Sequence, residues 1–137
     1  MAEWKKIQGT PANGGVNNTA YAWKYTITWP ANDHAEIKTP SFIFPVRGDF
    51  TYIVEEAANI DNEATSIKVY GSLDNSTWIE LDAATTKTIQ TSACANAYDL
   101  DAKGKMPFMC IGVDPHASDA DATNVPSVNV YMVDHLE

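Results

Sequence analysis

The sequence predicts an all-β protein, a β-sandwich of jelly-roll character with about eight or nine short strands. Three observations lead there: an unbroken period-two alternation over residues 21–29, a succession of short apolar runs separated by turn-type residues, and no long amphipathic helical pattern.

The elements follow in chain order. Residues 1–20 are rich in Gly and Asn and offer little to bury, so they are expected to form an N-terminal arm. In 21–29, Tyr21, Trp23, Tyr25, Ile27 and Trp29 point one way, and Ala22, Lys24, Thr26 and Thr28 the other. That is a strand with one buried face, ended by Pro30, which cannot donate to a ladder. Residues 41–46 and 50–55 read as strands on either side of Arg47-Gly48-Asp49. That tripeptide also spells an integrin-binding motif, but a turn is the better reading. Residues 66–73 place Ile67, Val69 and Leu73 on one face, and Ser66, Lys68, Tyr70 and Ser72 on the other. Asp74-Asn75-Ser76-Thr77 supplies turn chemistry, and 78–81 returns as the second strand of a hairpin, with Trp78 folded into the core. Residues 87–91, 97–100, 106–113 and 127–133 complete the strands; 101–105 and 114–126 read as loops. Two short stretches, 55–59 and 92–96, have helical composition.

Composition bounds the rest. With 137 residues, 45% apolar and 20% charged, the chain suits one soluble domain, expected over 21–135 with Leu136-Glu137 read as a tag scar. The net charge of −9 and a pI near 4.6 argue against a nucleic-acid partner. No apolar run approaches the roughly 20 residues of a membrane helix, so no membrane partner is expected. The first residues lack an apolar signal core, which gives the expectation of synthesis in a cytoplasm. Charge is uneven: residues 1–60 carry a net −1 and residues 61–137 a net −8. The unevenness suits either plain solvation or an N-terminal portion that faces a partner.

Few residues announce chemistry. Without an export signal, Cys94 and Cys110 are expected as two reduced thiols, Cys110 as a small core hydrophobe, ahead of a structural disulfide; neither has the local signature or nearby His of a catalytic thiol. His34, His116 and His135 each lie near an Asp, but neighbours on a strand face opposite ways and no metal-ligand spacing occurs. Asp114, Asp119 and Asp121 are the densest acids, without the order of a calcium loop. No nucleophile elbow, phosphate loop or dinucleotide fingerprint is present. The expectation is therefore a protein that is not an enzyme, with no catalytic residues, cofactor or metal. Tyr70 and Tyr131, on the polar sides of their strands, are the candidates for stacking on sugars.

Val69-Tyr70-Gly71-Ser72-Leu73-Asp74-Asn75-Ser76-Thr77-Trp78-Ile79-Glu80-Leu81 resembles a hairpin of discoidin-like β-sandwiches and of small tailed-bacteriophage virion proteins. In the latter it is followed by a segment similar to Tyr98-Asp99-Leu100-Asp101-Ala102-Lys103-Gly104-Lys105-Met106-Pro107-Phe108-Met109 and by a closing strand like 128–133. The resemblance implies a capsid decoration, or cement, protein on the virion exterior, with the major capsid protein as partner. Threefold capsid positions suit a homotrimer. The discoidin likeness implies the alternative of a carbohydrate-binding module or host-glycan adhesion domain. Residues 1–20 match neither pattern. There Trp4 and Ile7 are the expected anchors and Lys5 and Lys6 the expected bases of a shell contact, Trp being a favoured hot-spot residue. The competing reading is that Trp4 covers the end of the sandwich.

Overall fold

In a computed structural model, residues 3–7, 22–42, 50–60, 65–87, 94–98, 104, 106–116 and 123–134 are described. Nine strands run through them: β1 (Lys5–Ile7), β2 (Ala22–Thr28), β3 (Ile37–Lys38), β4 (Phe50–Ala58), β5 (Thr65–Ser72), β6 (Ile79–Lys87), β7 (Cys94–Tyr98), β8 (Phe108–Asp114) and β9 (Ser127–Asp134). One sheet has the order β1-β2-β9-β4-β7 and the other β3-β8-β5-β6, with every pairing antiparallel. Apart from the β5–β6 hairpin and the added edge strand β1, successive strands alternate between sheets. This interleaving is that of an eight-stranded jelly roll.

Alternation builds the core. From the first sheet Ile27, Phe50, Tyr52, Val54, Val128, Val130 and Met132 point inward; from the second Ile67, Val69, Met109, Ile111 and Val113 do, all of them buried. Register aligns these faces: Ile27 lies opposite Val128, and Tyr52 opposite Met132. Phe50 stacks on Tyr98 with centroids 5.0 Å apart and takes the edge of Phe42 at 5.6 Å, both favoured aromatic geometries. Trp29, just past β2, is fully buried. Its indole N–H donates to the Ala35 carbonyl at 2.7 Å. The intervening turn makes this possible: Asn32 takes a positive φ of 60°, Asp33 N–H donates to the Pro30 carbonyl, and the Asp33 carboxylate accepts from Ala35 N–H.

The structure corrects four expectations. Residues 55–58 are strand, not helix: Glu55 and Glu56 pair with Asn129 and Val128, and a bulge lies between Glu56 and Ala58. Ladder bonds to a buried central strand outweigh the helix propensity of Glu and Ala, which is worth only tenths of a kcal/mol per residue. Cys94, Ala95 and Asn96 likewise pair with β4, while 92 and 93 lie outside the described residues. Leu73 shares the parity of Ile67 and Val69, yet β5 ends at Ser72 and the side chain is exposed. Trp78 is half-buried, outside the set of residues packed on the core. The expected strand 41–46 is described only at Ser41 and Phe42, where Phe42 bridges to Met109.

Replacing Trp29 with Ala should cost about 3–5 kcal/mol, through lost contact and an orphaned Ala35 carbonyl. Gly71 gives a second expectation. A Cβ there would come 2.4 Å from Met106 Cγ and 2.7 Å from Leu81 Cδ1. Gly71→Val should therefore cost about 1–3 kcal/mol by overpacking. Urea unfolding of both variants checks these values.

Candidate functional site

The N-terminal candidates are brought together by β1, which adds to the edge of the first sheet with Lys5 opposite Lys24, Lys6 opposite Trp23 and Ile7 opposite Ala22. Trp4 reaches across to the other sheet. Its indole N–H donates to the Pro40 carbonyl at 2.8 Å, and its ring packs at 6.1 Å from Tyr25 and 6.0 Å from Phe42. The residue thus ties the β1 and β3 edges of the sandwich together and lifts Lys5 onto an exposed edge. The Lys6 and Ile7 side chains, and the arm from residue 8 to residue 20, lie outside the described residues.

Each outer sheet face carries a tyrosine closed by ions. On the second sheet Tyr70 Oη lies 2.8 Å from both Glu36 carboxylate oxygens, and Lys38 Nζ sits 4.6 Å above the ring. Lys38 also pairs with Glu36 at 3.3 Å, and Lys68 with Glu80 at 3.8 Å. The Tyr70 ring lies over Gly112, where an added Cβ would meet it at 2.7 Å. Burial, and then the hydrogen bond to Glu36, push this phenol well above its ordinary range. On the first sheet Tyr131 donates to Glu55, and Lys24 Nζ stands 5.7 Å from the ring. Asn129 joins the row, donating to Glu55 at 3.1 Å and accepting from Thr26 Oγ1 at 2.7 Å. The Glu55 bond, followed by burial, pushes Tyr131 up to about 12. Tyr70 and Tyr131 therefore sit on opposite sides of the sandwich, and neither presents a bare ring. Their partners escaped sequence reasoning, because Glu36 lies in an irregular stretch 34 residues from Tyr70 and Glu55 lies 76 from Tyr131.

The resemblance-bearing hairpin ends in a rigid tip. The Asp74 carboxylate accepts from Thr77 N–H at 2.8 Å, from Ser76 N–H at 2.9 Å and from Ser72 Oγ at 2.9 Å, with Asn75 at a φ of 61°. These bonds, led by that of Thr77, lower the carboxyl from its ordinary 3.8 to about 2. Leu73 and Ile79 flank the turn with 72% and 53% of their surface exposed.

The other candidates are dispersed. Cys110 is a free, fully buried thiol, as expected of a small core hydrophobe, and it lies opposite Tyr70 on the parity of β8 that faces away from Met109 and Ile111. Burial pushes it up to about 12, which favours the protonated thiol. Burial and Glu36 also raise the Asp114 carboxyl, opposed by His34 and Lys68. His34 and His116 are exposed. His135, Asp119, Asp121, Arg47-Gly48-Asp49 and the Cys94 side chain lie outside the described residues.

No protein-family model and no curated protein matches the chain. Solved structures do. The Yersinia pseudotuberculosis-derived mitogen superposes with a TM-score of 0.51 at 11% identity, covering 86% of this chain and 89% of that one. The SPBc2 prophage-derived protein YomS gives 0.39 at 13% identity, over 88% and 99% of the two chains. At such identities the mitogen likeness speaks for the fold alone.

Trp4→Ala should lower stability by about 2–4 kcal/mol in urea titration, since a partly buried indole and its hydrogen bond are lost together. Asp74 makes stability acid-sensitive. Its depressed pKa contributes stability fully above pH 3.8, which is lost as pH falls towards about 2. Asp74→Asn keeps the acceptor for Ser76 and Thr77 but removes the titration. Its urea midpoint should therefore fall less than the wild type's between pH 4 and about pH 2.

Proposed function

We propose that the chain is a non-enzymatic virion structural protein, a decoration protein that docks on the exterior of a tailed-phage capsid. The reading joins the ordered resemblance over residues 66–133 to one structural observation. Both outer faces of the jelly roll carry internally satisfied Lys–Tyr–Glu clusters, so among the described residues an edge strand and a hairpin tip remain for contact. A cement protein needs such a rigid body and no reaction centre. The major capsid protein is the partner, and the exposed Lys5 of β1, next to Trp4, is the shell-facing base, with Lys6 the second base by sequence. A homotrimer at threefold positions would multiply one weak contact by avidity. The glycan-binding alternative loses its stacking pair, because Tyr70 and Tyr131 share no face and each ring is capped by a lysine.

The test is co-sedimentation with emptied, mature capsids of the phage encoding the chain. Saturable binding is expected, weakened severalfold by Lys5→Glu/Lys6→Glu. A glycan array run beside it should stay blank. Glycan binding without shell binding would overturn the proposal.

A further inference from the structure

Leu73 and Ile79 are the exposed large aliphatic side chains among the described residues. They are uncovered for a reason written into the topology. Ile79 pairs with Gly71, whose inward side faces Met106 and Leu81 at the margin of the core, and Leu73 follows Gly71 by two residues. The hairpin thus carries its apolar parity beyond the last core positions, and among the described residues those two side chains stay exposed.

The tip is already ordered. Asp74 ties the backbone of Ser76 and Thr77 and the hydroxyl of Ser72 into one turn, so docking it would freeze little further motion. Its surroundings select the partner's charge. Asp74 follows Leu73 directly, Glu80 beside Ile79 is balanced by Lys68 at 3.8 Å, and the portion of the chain from 61 to 137 carries a net −8. Asp74 at the tip and the net negative charge of this portion repel a second copy presenting the same tip, and they repel the anionic face of a phospholipid membrane.

We propose that the β5–β6 tip is a docking knob, with Leu73 and Ile79 entering an apolar socket rimmed by Lys or Arg on the capsid protein. The identity of the partner rests on the decoration reading above; the location of the knob rests on the hairpin itself. This contact is separate from the β1 edge, because β6 and β3 are opposite edges of the second sheet and Trp4 binds beside β3.

The experiment compares the full chain with Leu73→Ser/Ile79→Ser in co-sedimentation with emptied capsids, and in flotation with phosphatidylcholine vesicles with and without phosphatidylserine. Both side chains are exposed, so the variant should keep the wild-type urea midpoint. Its apparent affinity for shells should fall at least about tenfold, as for removal of a hot-spot pair. Binding of the wild type should weaken with added salt, and neither protein should float with vesicles. Equal shell binding by both proteins would overturn the knob and leave the decoration reading standing. A wild type that ignores shells would overturn both. Flotation lost in the variant would make the patch a membrane contact, and concentration-dependent self-association lost in the variant would make it a contact between copies. Either result would overturn the socket.

Discussion

Strand β9 is the constraint on which the jelly roll depends. It lies between β2 and β4 and pairs along its length with both, so the first sheet does not exist as a unit until the end of the chain is in place. Val128, Val130 and Met132 are completely buried on one side of it. On the other, Asn129 and Tyr131 organise the polar row formed with Thr26 and Glu55. Even its first residue takes part, Ser127 Oγ donating to the Ile27 carbonyl across 100 positions of sequence. Contacts at such separations carry a loop-closure cost that is repaid only when the sheet closes. Folding is then slow for a chain of this size and cooperative between its two ends.

This dependence explains which parts of the fold could be read from the sequence. β5 and β9 each bury one face, and their period-two pattern is visible in the residues themselves; β2 alternates as clearly in sequence, with Ile27 fully buried on that face, whereas β8, buried on both faces from Met109 to Val113, reads as a continuous apolar run. The hairpin tip was equally legible, since Asp and Asn carry their turn chemistry locally. β1 and β3, with three and two residues, have no pattern long enough to read; they exist because Lys5–Ile7 and Ile37–Lys38 add to edges that other strands create. Residues 55–58 and 94–96 were misread for the related reason that local propensity favours helix where long-range pairing imposes strand. The candidate site followed the same rule. Trp4 packs on the sandwich itself, as in the reading that it covers the sandwich's end, but its acceptor, the Pro40 carbonyl, lies 36 residues away beside the other sheet and could not be read locally.

The outer faces show one solution used twice. A tyrosine in a central strand gives up part of its hydration, and its hydroxyl then needs an acceptor nearby. Glu36 and Glu55 supply it, and a lysine over each ring offsets the added negative charge. On the second sheet the tyrosine also fills the space over Gly112, where a side chain would displace it. The result is two tyrosine clusters whose hydrogen bonds and charges are answered from within the chain.

That internal use of lysine shapes what remains outside. Lys24, Lys38 and Lys68 are engaged with Tyr131, with Glu36 and Tyr70, and with Glu80. The chain has only nine bases against eighteen acids, so each lysine held on a sheet face leaves more of the acidic excess uncompensated elsewhere. Under the docking proposal, a partner would be selected by its positive potential at long range, which sets the rate of encounter more than the final affinity. Affinity has to come from apolar contact at short range. On the described surface the hairpin tip offers that contact within an acidic setting, and the exposed Lys5 edge offers a local exception to the charge. A shell protein that answered both would fix the orientation of the jelly roll as well as its attachment, which one contact alone cannot do.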